Sequence, residues 1–167
     1  MARTVRQPAR KRTGARVAAV QALFQAEQAE DSAEAVIDQF LRHRLGPAGA
    51  EGFEEGRAPE ADAALFAGIV RAATQQAETI DTLITAALPA DWPLERLDPV
   101  LRALLRACAA ELGDATGAPA RVLINEYLDV AHGFFEGDAP RLANGVLDAI
   151  AHTLRAGEFA APTEGRG

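Results

Sequence analysis

"EADAALFAGIVRAATQQAETIDTLITAAL", residues 60–88, is the longest periodic stretch of the chain. Phe66, Ile69, Val70, Ala73, Ala77, Ile80, Ile84 and Leu88 fall on one face at the three- and four-residue spacing of an α-helix. Pro89 and Pro93 end the stretch, because proline lacks the N–H that a continuing helix needs. The spacing predicts one long helix. Elsewhere β-branched residues are scattered, aromatics are only 5%, and no run alternates as a half-buried strand does. The fold is therefore expected to be all-α.

Working outward, the same spacing recurs on both sides. Leu97, Leu101, Leu104, Leu105, Cys108 and Leu112 form a stripe that stops at Gly113, and "GDATGAP" reads as a turn. Residues 120–134 carry Leu123, Ile124, Tyr127, Leu128, Ala131 and Phe134. After the "EGDAP" turn, residues 139–155 carry Leu142, Val146, Leu147, Ile150 and Leu154. Toward the N-terminus, Val17, Val20 and Phe24 mark a helix from about Thr13 to Gln28. Asp31-Ser32 offers an N-cap for a further helix over 33–44. The 46–60 segment "GPAGAEGFEEGRAPE" is Gly/Pro-rich and reads as a loop; residues 1–9, with Pro8, read as a flexible basic arm, and 156–167 as a disordered tail. Residues 10–155 then make one domain, a compact bundle of six or seven amphipathic helices.

Length and composition agree. A chain of 167 residues buries about two thirds of its unfolded surface and needs no disulfide or metal to fold. Cys108 is the only cysteine, so no internal disulfide is available, which fits a reducing, cytoplasmic setting. No segment has the 18 or so uninterrupted apolar residues of a membrane helix. An Arg-rich transit peptide is the nearest mimic of the N-terminus, but the helix runs on through Glu27 with a core-like face.

Catalytic chemistry has no constellation to carry it. Cys108 sits in an apolar stripe, where a free cysteine is usually a small core residue. His43, His132 and His152 are far apart and fit no metal-ligand spacing, and no Gly-rich phosphate loop is present. The pairs Glu54/Glu55 and Glu27/Glu30 suit solvated helix faces. No enzyme activity, cofactor or metal is expected.

Charge is the informative feature. Arg3, Arg6, Arg10, Lys11, Arg12 and Arg16 precede any acidic residue, although the whole chain carries −7. The other 11 Lys and Arg face all 24 Asp and Glu, which leaves residues 17–167 at −13. Clustered cations of this kind neutralise nucleic-acid phosphates, with arginine able to grip two phosphate oxygens at once. The acidic body suits a basic protein instead. A solubilising tail is the plainer reading of the basic run.

"AVQALF" (19–24), "WPLERLDPVLRALLRACAAEL" (92–112), "APARVLINEYLDVAHGFF" (118–135) and "APRLANGVLDAI" (139–150) occur in that order. Together they resemble the bacterial NusB family of transcription antitermination factors over about residues 9–155. The resemblance implies an all-helical fold of two small sub-bundles and no catalysis. It implies a partner, the small-subunit ribosomal protein NusE, with which such proteins bind single-stranded boxA RNA of ribosomal RNA leaders. In that role they help the elongation complex (RNA polymerase and other Nus factors) read through terminators. It also implies an RNA surface of Arg10, Lys11, Arg12, Arg16, Gln21, Phe24 and Asp138, and a partner contact at Glu95.

Simpler readings stand beside these. Gln21 is explained as a solvated residue, Phe24 as core, Asp138 as an N-cap, and Glu95 as a first-turn acid. Asn125 and Asn144 read as structural, with Gly145 allowing close helix packing. The chain also departs from the family pattern. Thr13 and Gly14 interrupt the arginines, Leu101 and Ala110 replace residues often acidic and aromatic, and the 46–60 loop is long. Two other functions stay open. One is the NusB-like module of a ribosomal-RNA cytosine methyltransferase, which would need a further domain absent before Gly167. The other is a purely protein-binding bundle.

Overall fold

Residues 60–88 hold two helices instead of one, and the break between them sets the architecture. The protein is described by a computed structural model over residues 6–45 and 61–160, with side chains from residue 10. Its helices are α1 (Arg6–Ala29), α2 (Ala33–His43), α3 (Ala63–Gln75), α4 (Ala77–Ala87), α5 (Pro99–Leu112), α6 (Ala120–Phe134), α7 (Ala139–Leu154) and the short α8 (Ala156–Phe159), with a 3₁₀ turn at Leu94–Arg96. No strand occurs among the described residues. The fold is the predicted all-α bundle.

The break falls at Gln76, whose φ of −107° and ψ of 21° leave the helical region. Just before it, the Thr74 hydroxyl donates to the Val70 carbonyl at 2.8 Å, a back-bond that bends helices. The apolar face runs on through the break, with Phe66, Ile69, Val70, Ala73, Ile80, Ile84 and Leu88 all buried. Periodicity alone therefore could not reveal it. The bend lets α3 pack on α1, α2 and α5 while α4 turns onto α5 and α7. Two groups result, α1–α3 and α4–α7. The helix α5 is shared between them and buried nearly all round, from Leu101 to Leu112. One apolar core crosses both groups; in it Phe40 of α2 stacks on Phe66 of α3 with ring centroids 5.6 Å apart.

Local signals explain several helix ends. The Ser32 hydroxyl accepts from Ala35 N–H, and the Asp62 and Asp98 carboxylates accept from Leu65 and Val100 N–H. Each satisfies a first-turn donor that the helix itself leaves unpaired. At the far end of α1, Glu30 takes a left-handed φ of 55° while Asp31 N–H closes onto the Ala26 carbonyl. This is a Schellman stop with glutamate where glycine is usual.

Two expectations for the chain ends need correction. The helix α1 begins at Arg6, not near Thr13, so residues 6–9 are helical; residues 1–5 lie outside the described residues. Pro8 is tolerated because the first-turn N–H groups have no intrahelical acceptor. The predicted 156–167 tail begins with the helical turn α8, whose Phe159 stacks on His152 at 3.9 Å. Before it, Arg155 is only 7% exposed. Its guanidinium donates to the carbonyls of Leu112, Asp114 and Ala118 at 2.8, 2.5 and 3.3 Å, and to Glu158 at 2.7 Å. The α5–α6 connection is thus stapled from the end of α7. The 46–60 loop lies outside the described residues.

Candidate nucleic-acid interface

The helix α1 carries its cations on different faces. Arg10, Lys11 and Arg12 are exposed. At 100° per residue, Arg10 shares a face with Gln21, Phe24 and Gln28, about 16 to 27 Å further along the axis. Arg12 points the other way, into a cleft that also meets Asp62, Glu111 and Asp114. The Lys11 carbonyl accepts from Asp62 N–H at 3.0 Å, which ties this end of α1 to the start of α3.

Arg16 departs from expectation. Instead of facing RNA as a cation beside the core, its side chain is buried, with 4% of the residue exposed. Its Nε and Nη2 donate to the two carboxylate oxygens of Glu111 at 2.8 and 3.1 Å. The Tyr127 hydroxyl donates to the same carboxylate at 2.6 Å, and Thr13 Oγ1 donates to Glu126 at 3.1 Å. Burial and then the Glu111 charge push the Tyr127 phenol well above its ordinary pKa, so it stays a donor. With Nε and Nη2 on Glu111 and Nη1 3.9 Å from the Glu126 carboxylate, the buried guanidinium is engaged by acids of the bundle itself. Arg16 locks α1 onto α5 and α6.

Gln21 and Phe24 come together. With Gln28, Arg44, Val100 and Phe134 they line an open groove of about 490 Å³ between α1, the end of α2 and the end of α6. Phe24 is half-buried, so it serves the core and the groove wall together. Arg44 holds its guanidinium 4.5 Å above the Phe40 ring and reaches Gln21 Oε1 at 3.5 Å. Sequence reading missed Arg44 and placed Phe134 in the core stripe, whereas Phe134 is 41% exposed. A helix-ending aromatic looks the same in sequence whether it turns in or out.

Asp138 lines a different groove. It occupies the N-cap position of α7 but has helical dihedrals (φ −86°, ψ −11°) and makes no side-chain cap bond, contrary to the capping explanation. It borders an apolar groove of about 550 Å³ with Trp92, Leu97, Leu101, Leu142 and Val146. Phe134, at the end of α6, lines the first groove and Asp138, just before α7, the second. Gly145 also faces this second groove, and a Cβ there would meet nothing within 4 Å. It does not mediate close helix packing. Asn125 and Asn144 are exposed.

Glu95 is exposed on the 3₁₀ turn, between buried Leu94 and Leu97 and beside half-exposed Trp92. Behind this turn lies an ion network. Glu27 of α1 accepts from Arg102 and Arg106 of α5, and Arg106 also grips Asp81 of α4 at 2.8 and 2.9 Å. The Arg102 hydrogen bond, opposed by burial and reinforced by Arg106, holds the Glu27 carboxyl below its usual range. None of this was visible in sequence, because the partners lie 25 to 79 residues apart.

Among the described residues no group of His, Cys, Asp and Glu is arranged to hold a metal, and no helix is long and apolar enough to cross a membrane. Cys108 is fully buried, and burial pushes its thiol well above the ordinary range, which makes it a packing residue. Fold and surface together define a helical-bundle protein with open surface grooves and an exposed basic stretch on its first helix. Residues 13–152 match the NusB family. The chain belongs to that family. It is 63% identical over 152 residues to the transcription antitermination protein NusB of Granulibacter bethesdensis, covering 90% of this chain and 93% of the relative. It is 55% identical to the protein of the same name from Gluconobacter oxydans, covering 89% and 91%. Among solved structures, T. maritima NusB superimposes with a TM-score of 0.69 at 26% identity, covering 88% of this chain and 95% of that one. A chain from a crystal structure of a plectonemic RNA supercoil gives 0.67 at 25% identity, covering 84% and 94%.

Proposed function

We propose that this protein is an RNA-binding transcription antitermination factor that catalyses no reaction. With the ribosomal protein NusE it would hold single-stranded boxA RNA of ribosomal RNA leaders in the cytoplasm. The pair would help the elongation complex read through terminators. The relatives are named for antitermination and not for a reaction. The observation that carries the RNA reading is the layout of α1: exposed Arg10 lies on the same face as Gln21 and Phe24, whose groove is walled by Arg44 and Phe134. Phosphates met by Arg10 and Lys11 would lead a strand toward aromatic faces on which unpaired bases stack, while Arg12, across the helix, would extend the positive end. Arg16 has no direct part in this reading. The protein partner would dock at Glu95 and the apolar groove beside it, with Asp138 at the junction between protein and RNA.

The test is binding of a boxA-like RNA and a scrambled control, with and without NusE, over a salt series. Selective binding that tightens with NusE is expected. Replacing Arg10, Lys11 and Arg12 together by alanine should flatten log K against log[salt] by about 0.7 for each phosphate no longer neutralised. Equal binding to both RNAs, indifferent to NusE, would overturn the reading.

A further inference from the structure

Arg102 uses its donors in two directions. Nε and Nη2 grip the Glu27 carboxylate, with Nε at 3.0 Å from Oε2. Nη1 points the opposite way and meets the carbonyls of Leu94, Leu97 and Glu95 at 3.2, 3.1 and 3.4 Å. Those carbonyls belong to the 3₁₀ turn between Pro93 and Pro99, which within itself closes only the bonds Arg96 N–H to Pro93 and Leu97 N–H to Leu94. A turn this short leaves several carbonyls without backbone donors. Leu94 and Leu97 anchor it from below, and Glu95 stands exposed between them. Glu27 is itself braced by Arg106, which is clamped on Asp81. The turn is therefore tied through the Arg102 guanidinium to α5 and α1, and through Glu27 and Arg106 onward to α4.

We propose that Arg102 is a positioning residue for the protein-partner surface: it sets the 94–97 turn so that Glu95 and the Trp92 side of the apolar groove are presented before the partner arrives. This rests on the docking surface given under Proposed function. A surface already held in its bound shape loses less conformational freedom on docking, and so binds more tightly with the same contacts. Lysine cannot replace the arginine here. Its single ammonium cannot span a carboxylate on one side and three carbonyls on the other.

The experiment compares wild type, Arg102→Gln, Arg102→Lys and Glu27→Gln in three measurements. These are affinity for purified NusE, affinity of the chain alone for the boxA-like RNA, and amide hydrogen exchange over residues 94–98. For Arg102→Gln, partner affinity should fall about tenfold or more, RNA affinity should stay within about twofold, and exchange at 94–98 should accelerate. Arg102→Lys should not restore partner binding. A general loss of structure would lower both affinities together, so the split between them separates positioning from mere stability. Partner affinity within about twofold of wild type in Arg102→Gln would overturn the proposal. If that variant fails to fold, as read by helical circular dichroism, Glu27→Gln decides, because it leaves the carbonyl bonds but removes their anchor. A loss of about threefold in partner affinity supports the proposal, and no loss overturns it. If wild type itself does not bind NusE, the docking reading falls. Unchanged exchange at 94–98 in Arg102→Gln would then separately overturn the positioning role.

Discussion

The first turns of α1 and its middle use the same residue type in opposite ways. Arg10, Lys11 and Arg12 stand in solvent, while Arg16, one turn past Arg12, is buried against Glu111 and Tyr127. What separates them is what faces them. Glu111 arrives from α5 and Tyr127 from α6, and together they fill the Arg16 fork. Further along, Glu27 is closed in the same manner by Arg102 and Arg106. Charge further along α1 holds the bundle together, and charge near its start faces solvent.

The largest effect on stability is expected at Arg16. Arg16→Ala leaves the Glu111 carboxylate buried without its cation, and breaking a buried pair from one side costs about 3–5 kcal/mol. Urea unfolding measures this; a loss below about 1 kcal/mol would mean that Tyr127 alone satisfies Glu111. Glu27→Gln comes next, at about 2 kcal/mol near neutral pH, because hydrogen bonds to a charged group are lost. Its pH dependence has a definite sign. The folded-state pKa of Glu27 lies below the unfolded value, so its contribution is present above about pH 4.3 and is lost as pH falls through the depressed folded value. The gap between wild type and Glu27→Gln should therefore narrow on acidification; a gap that is constant from pH 7 to pH 3 would contradict the pairing.

At the far end of α1, Glu30→Gly should stabilise the protein by about 1 kcal/mol, since glycine adopts the left-handed φ of 55° without the clash of a Cβ. Thermal unfolding would show it, and destabilisation would argue that the glutamate side chain has a part in the stop. The smallest change in stability is expected at Arg12→Ala, within about 0.5 kcal/mol. If Arg12→Ala unfolded as readily as Arg16→Ala, the contrast between the two parts of the helix would collapse.

Much of the fold was legible in sequence because it is written locally. The α2, α6 and α7 spans follow from spacing, from Ser32, and from the "EGDAP" turn, and they differ from expectation by a residue at most. The bend at Gln76 was hidden because the apolar period runs through it unbroken and neither glycine nor proline marks it. The candidate site was half legible. Gln21 and Phe24 share a groove, as their spacing implies. The inward turn of Arg16, the outward turn of Phe134 and the arrival of Arg44 depend on residues brought from other helices. Helical period says which face a residue occupies, but a single sequence does not say what will be standing opposite.

Arg155 has a consequence for the order in which the protein is made. The carbonyls it fastens belong to residues 41 to 44 positions earlier in the chain, apart from the closer one at Ala118. Translation at about 5–20 residues per second puts about 2–8 s between synthesis of the α5–α6 connection and the arrival of the side chain that completes it. Through that interval the connection lacks these bonds, and the nascent bundle keeps an unlatched corner until the end of α7 is made.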